Sequence, residues 1–228
     1  MGVTGRVKTL LKSTFPRAAG VYGSAVEAWR RPSLKKVFSE IYHTNGWKDP
    51  ESISGRGSTL ARTAVVVGRL PTLLNELGAA SLLDAACGDF NWMRHVELGE
   101  VKYIGIDVVP DLVERNRRLY GREGRTFIAL DLTKDRLPRA DAILCRDCLI
   151  HLSFRSIEAA VANFKKTGAG HLICTTHTSV LENVPCPDGG WRNVNLQLPP
   201  LNFPPPLKTL VEDAEAGKCL GVWRLKDL

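Results

Sequence analysis

The chain has 228 residues, 44% of them hydrophobic, with six cysteines and a formal net charge of +7. A chain of that length buries most of its apolar surface without disulfides, and none of its apolar runs approaches the ~20 residues that span a bilayer, which argues against a disulfide scaffold and an integral membrane protein. The charge is uneven: residues 1–36 hold eight Lys or Arg and one acid, and the rest is balanced, so the body has no electrostatic reason to bind nucleic acid.

At the start, Val7, Leu10, Leu11 and Phe15 recur at helical spacing among Arg6, Lys8 and Lys12, the pattern of a basic amphipathic helix. Such an arm either packs on the body or contacts an anionic membrane surface or an acidic partner. It shows no apolar core followed by a small-residue cleavage site, which favours a cytoplasmic protein over a secreted one. Residues 24–43 read as helical with an interruption at Pro32, followed by turn chemistry over 45–50. A polar loop over 51–58 ends on Ser58, a candidate N-cap. The next helix starts at Thr59, carries Leu60, Ala64, Val67 and Leu74, should kink at Pro71, and stops with Gly78 in the C′ position.

Residues 81–84 read as a buried strand ending on Asp84, followed by a tight turn around Gly88 and the start of a helix. A second strand over 101–107 ends on Asp107, a third over 125–131 on Asp131, and a fourth over 140–147 on Asp147. Four acids thus close four consecutive strands, at the edge where open α/β sheets bind ligands. A glycine turn with an acid about 20 residues on is how such sheets grip a ribose. The dinucleotide fingerprint needs three glycines, and one is present. Asp89 also stands where a pyrophosphate would want bare N–H groups, so the turn is expected to repel phosphate and suit a cation. S-adenosylmethionine, with a sulfonium and an ammonium and no phosphate, is such a ligand.

On these residues the chain resembles the class I S-adenosylmethionine-dependent methyltransferases, whose first motif is acid-x-Gly-x-Gly-x-Gly. Asp84, Ala86, Gly88 and Phe90 occupy its acid and glycine positions. The resemblance implies that Asp84, Ala86 and Gly88 lie along the methionine part of the cofactor and that Asp107 binds the ribose hydroxyls. It also implies that Asp131 meets the adenine amino group, and that the fourth strand, with Cys145 and Asp147, faces the transferable methyl. Val108 and Leu132 beside two of these acids join the cofactor set, and Trp47 with the 54–58 loop is the candidate cover. Asp147 corresponds to an acid that ligates a divalent metal in metal-dependent O-methyltransferases. The Asp-Asn partners expected later are not evident, which leaves metal dependence open.

The implied fold is a doubly wound, mostly parallel seven-stranded sheet with helices on both faces, a closing antiparallel hairpin and a helical N-terminal extension. The boundaries are 1–57 for the extension and covering loop and 58–228 for the methyltransferase domain. After strand 4 come His151 and a helix through Ile157, Val161 and Phe164, then strand 5 over 171–177. Residues 184–206 are irregular and proline-rich yet carry Trp191, Arg192, Asn193, Asn195 and Gln197, which suits a functional loop better than a disordered one. The hairpin follows, over 207–212 and 220–225. Cys145 and Cys148 have Cys-x-x-Cys spacing, but a structural zinc wants a second pair. His171 and Cys174 point to opposite faces of a strand, so buried reduced thiols are expected.

A hydroxyl acceptor must lose a proton, and His is the natural base near neutral pH. His151, past strand 4, and His177, at the end of strand 5, are the candidates, with Asp147 as an orienting acid. Trp191, Arg192 and Asn193 are the candidate acceptor contacts. The leading reading is an O-methyltransferase acting on a small-molecule hydroxyl, with a saccharide or glycosylated metabolite as acceptor. The alternatives are N-methylation of a small amine or protein side chain, and a non-catalytic S-adenosylmethionine-binding or scaffold protein. Oligomeric state has no signature in the sequence.

Overall fold

The structure, a computed structural model, describes residues 32–228. Its strands are β1 (Ser81–Ala85), β2 (Lys102–Asp107), β3 (Arg125–Ala129), β4 (Ala142–Cys145), β5 (His171–His177), β6 (Lys208–Asp213) and β7 (Lys218–Arg224). They form one sheet in the order β3-β2-β1-β4-β5-β7-β6. Pairing is parallel from β3 across to β5, and β7 runs antiparallel to both β5 and β6. β6 therefore points the same way as β1 to β5, and its carboxyl end reaches the same sheet edge.

The central strands are buried on both faces. All four residues of β4, Ala142, Ile143, Leu144 and Cys145, are buried, as the near-continuous apolar run of a covered parallel strand requires. Alternate residues feed two cores. Ile143, Leu172 and Trp223 pack with Ile157, Val161 and Phe164 of α4 (Phe154–Lys165) on one face. Leu82, Leu144, Ile173 and Val222 pack with Val66, Leu70 and Leu74 of α2 (Leu60–Glu76) on the other. α3 (Pro110–Tyr120) opens with Pro at its first position and contributes Val113 to that second core. α1 (Leu34–His43) begins two residues after Pro32.

Several local expectations change. The inward face of α2 is Thr63, Val66, Leu70, Leu73 and Leu74, while Leu60 is 40% exposed. The helix runs through Pro71 without a break. Its first turn is not capped by Ser58: Glu51 Oε1 reaches back to accept from the Leu60 N–H at 2.7 Å. Gly78 does take the C′ role, at φ 63°. The helix expected after the Gly88 turn is only a 3₁₀ turn, Met93–His95. Phe90, Trp92, Met93 and Val96 are all buried in the second core. β3 stops at Ala129, so Asp131 falls in a turn, and β4 stops at Cys145, leaving Asp147 two residues beyond it at φ 50°.

Between His177 and Lys208 the chain is irregular but ordered from within. Val194, Leu196 and Phe203 are buried, and the Asn183 amide donates to the carbonyls of Asn195, Leu198 and Pro199 at 2.8, 3.2 and 3.0 Å. The compact unit begins at Leu34, so it takes in residues 34–57, which the sequence assigns to the extension. The basic amphipathic segment lies outside the described residues. All six cysteines are free thiols. Among the described residues no helix is long and apolar enough to cross a membrane.

Candidate functional site

A cavity of about 740 Å³ opens at the carboxyl edge of the sheet, within the size range of small-molecule sites. One wall is the turn after β1. Asp84 is buried there, and its Oδ2 accepts from the Tyr103 hydroxyl at 2.7 Å. Burial pushes its carboxyl up to about 7. Asp107 accepts from the Gly88 N–H through Oδ2 (3.1 Å) and from the Val109 N–H through Oδ1 (3.0 Å), and burial raises it to about 6. The Asn116 amide closes the knot by donating to the Gly88 carbonyl at 2.7 Å. Gly88 is required twice over. Its φ is +55°, and a Cβ there would sit 2.4 Å from Ser54 Oγ. Ala86, Val108 and Leu132 line the same wall.

Asp89 does not face the cavity, contrary to the sequence expectation. Its Oδ2 accepts from the Ser52 hydroxyl (2.9 Å) and the Ile53 N–H (3.0 Å), and its own N–H donates to Ser54 Oγ (2.8 Å). Asn91 adds bonds to Glu51 Oε1 (2.9 Å) and the Ser58 carbonyl (3.1 Å). These bonds strap residues 51–58 across the Gly88 turn, with Trp47 lining the cavity beside them. Phe90 does not narrow the pocket. It lies at φ 61° with its ring in the core, edge-on to Tyr103 and Phe127 at 5.2 and 5.1 Å.

Two residues of the cofactor set stand apart from the cavity. Asp131 gives Oδ1 to the Thr133 N–H (3.0 Å) and hydroxyl (2.6 Å) in an Asx turn and has Oδ2 3.3 Å from Lys134 Nζ, leaving Leu132 to form the wall. Cys145 is fully buried in the core on β4, and Cys148 lines the cavity in its place.

The opposite wall carries both histidines. His151 ends a short 3₁₀ turn, Leu149–His151, and its Nδ1 lies 2.8 Å from the Gly190 carbonyl. A carbonyl can only accept, so Nδ1 carries the proton and Nε2 keeps its lone pair. Burial lowers the His151 pKa, and its ring packs on Trp47 with centroids 4.4 Å apart. His177 has the opposite tautomer: its Nδ1 accepts from the Val194 N–H at 3.4 Å, which places the proton on Nε2. Trp191, 63% exposed, and Asn193 line the mouth. Arg192 turns away, stacking on Phe154 at 4.9 Å and donating to the Ile150 carbonyl at 3.1 Å. It anchors the loop and stands outside the cavity lining.

Between the walls lies an ionic network largely missed from the sequence. Arg146 donates to Glu212 Oε2 through Nε (3.0 Å) and Nη2 (2.6 Å) and to the Gly57 carbonyl through Nη1 (2.8 Å). Lys218 donates to Asp147 Oδ2 at 2.6 Å, and Arg146 stands 3.3 Å from the same oxygen. Burial works to raise the Asp147 pKa, but Arg146 and Lys218 outweigh it and hold the carboxyl below its ordinary value. A carboxylate so enclosed by cations does not fit a divalent metal, and the described residues contain no group of three or more His, Cys, Asp or Glu placed to hold one. The signal for Glu212 and Lys218 was available: a hairpin whose first strand runs parallel to β5 must turn at the ligand edge.

No protein-family model and no curated protein matches the sequence. Solved structures do match it. The magnesium protoporphyrin IX methyltransferase of Synechocystis PCC 6803, solved with bound S-adenosylmethionine, aligns with a TM-score of 0.59 at 16% identity over 86% of this chain and 99% of that one. Human N-acetylserotonin methyltransferase aligns at 0.57 and 14% identity over 94% and 68%. The 1,6-didemethyltoxoflavin-N1-methyltransferase of Burkholderia thailandensis aligns at 0.55 and 17% over 84% and 86%. The chain has the class I methyltransferase fold. On a class I methyltransferase fold, the cavity with Asp84, Gly88 and Asp107 stands at the carboxyl ends of β1 and β2, where open α/β sheets bind their ligands.

Proposed function

We propose that this protein is an S-adenosylmethionine-dependent O-methyltransferase whose acceptor is a small hydroxylated molecule, a saccharide or glycosylated metabolite. The observation that carries the reading is one cavity with the Asp84–Gly88–Asp107 knot on one wall and the Nε2 lone pair of a buried His151 on the other. The cofactor, when bound, supplies a methyl already activated on a sulfonium. Asp107, mostly ionised at pH 7, and the partly ionised Asp84 favour a cation over a phosphate at that wall, the role expected of Asp89. Asp107, with the Gly88 turn, is suited to the ribose hydroxyls, and Val108 and Leu132 to an apolar ring.

His151 would take the acceptor proton through Nε2, since its lowered pKa keeps the ring neutral at pH 7. His177, with its proton on Nε2, is suited to donate to the acceptor and not to deprotonate it. Trp191 and Asn193 supply an aromatic face and an amide at the mouth. Residues 47–58 cover the turn and limit water.

Titration calorimetry with S-adenosylmethionine and S-adenosylhomocysteine tests the cofactor; absence of binding to either sinks the proposal. Asp107→Ala should weaken binding by about 10-fold or more, the cost of a lost charged hydrogen bond. His151→Ala should bind cofactor normally and lose about 10²–10⁴ in turnover in a radiolabelled methyl-transfer screen of sugars, phenols and amines. Retained turnover would remove His151 from the role of base.

A further inference from the structure

Resting on the reading above, we infer that Asp147, Lys218 and Glu212 form an acceptor subsite that hydrogen-bonds a neutral vicinal diol. Position comes first. The end of β6 and the start of β7 bring Glu212 and Lys218 to the cavity that holds His151 and His177. Asp147, held in the left-handed region at φ 50°, joins them from the end of β4. A non-glycine residue in that conformation is uncommon and persists where the surroundings require it. The requirement here is that its carboxylate meet Lys218.

Charge decides the class of ligand. Arg146 and Lys218 balance Asp147 and Glu212, so the cluster carries no net charge to draw in a charged acceptor. At the rim, Arg62 is paired with Asp213 at 3.0 Å, and Arg56 is exposed to water, which screens it. What the cluster does present is adjacent donors and acceptors. Of the three N–H donors of Lys218, one is given to Asp147 Oδ2 (2.6 Å), and the ammonium lies 3.4 Å from Glu212 Oε2 as an ion pair. Its side chain is 16% exposed and that of Asp147 is 14% exposed, both into the cavity wall.

Behind them the side chain of Glu212 is 1% exposed, and its Oε1 has no hydrogen-bond partner among the described residues. A buried carboxylate oxygen without a donor is costly, and buried ion pairs seldom repay their desolvation by themselves. An expense of this kind is expected where a ligand completes the set. Two neighbouring hydroxyls fit the exposed part of the cluster without adding charge, one donating to Asp147 and the other accepting from Lys218. Trp47 and Trp191, in the same lining, offer the flat faces that the C–H surface of a sugar ring packs against.

The test uses the full chain loaded with S-adenosylhomocysteine and reads the binding of methyl pyranosides by saturation-transfer NMR and calorimetry. Three sets are compared: neutral pyranosides with intact diols, their monodeoxy analogues, and amino or uronic counterparts. Neutral diols should bind, and removing one hydroxyl should weaken binding by about 10-fold. Lys218→Met should produce the same loss with S-adenosylhomocysteine affinity unchanged. The deoxy series needs no variant, so it decides the matter even if Lys218→Met fails to fold. The subsite is overturned if no pyranoside binds, if the deoxy analogues bind equally, or if the charged sugars bind more tightly. Each of those outcomes leaves the methyltransferase reading standing; failure to bind S-adenosylhomocysteine overturns both.

Discussion

Phe90 illustrates how far a residue's identity can mislead about its role. In the motif it replaces a glycine, which invites the idea of a narrowed or decayed pocket. In the fold it keeps the glycine's backbone conformation, φ 61°, and sends a 1% exposed ring into an aromatic cluster with Tyr103, Tyr120 and Phe127. Phe90→Ala should therefore lower stability by about 3–5 kcal/mol, measured by denaturant unfolding, and leave S-adenosylhomocysteine affinity unchanged. Weakened cofactor binding at unchanged stability would return the ring to the pocket. The two histidines make the complementary point. Both were legible as candidates, but which nitrogen bears the proton depends on the Gly190 carbonyl and the Val194 N–H, 39 and 17 residues away.

At the scale of elements, the segment over 51–58 and the β6–β7 hairpin complete the site. Asp89 is the pin of the first: it holds Ser52, Ile53 and Ser54 over the Gly88 turn. Asp89→Ala should speed proteolytic cleavage within 51–58 and weaken S-adenosylhomocysteine binding, at a cost to global stability of about 1–3 kcal/mol. Unchanged cleavage and affinity would mean that Trp47 and the Arg146–Gly57 bond suffice to hold the cover. The strap could be located in the sequence as a polar loop before β1, but its fastening could not, because the bonds span 35 to 37 residues. For the hairpin the strands were legible, and the direction of β6 is what turned Glu212 and Lys218 into site residues.

Over the whole molecule, the buried carboxyls set the dependence of stability on pH. Asp84 moves from an ordinary 3.8 to about 7 on folding, so between those values the folded state binds more protons than the unfolded one. Its contribution is fully favourable below pH 3.8 and is lost as pH rises through 7. His151 and His177, lowered by burial, act in the opposite sense, gaining stability as pH rises toward 6.5. The difference between wild type and Asp84→Asn isolates the carboxyl. The melting temperature of ligand-free wild type should fall relative to that of Asp84→Asn as pH rises from 5 to 7.5, scanned by calorimetry. A pH-independent difference would mean that Asp84 titrates normally.

The sequence by itself determined the strands, as apolar runs closed by acids and spaced by helical patterns, and the family they resemble implied how the sheet is wound. It also placed Asp84, Gly88, Asp107, His151 and His177 at one edge, since the ends of parallel strands must share it, while Trp47 entered through the resemblance as a candidate cover. Tertiary structure decided what faces the cavity within each cluster. Asp131 and Asp89 were claimed by nearby backbone groups, Arg192 by Phe154, and Cys145 by the core. It alone assembled Arg146, Asp147, Glu212 and Lys218, because charges 66 to 71 residues apart in the chain meet only once β7 has turned back against β5 and β6.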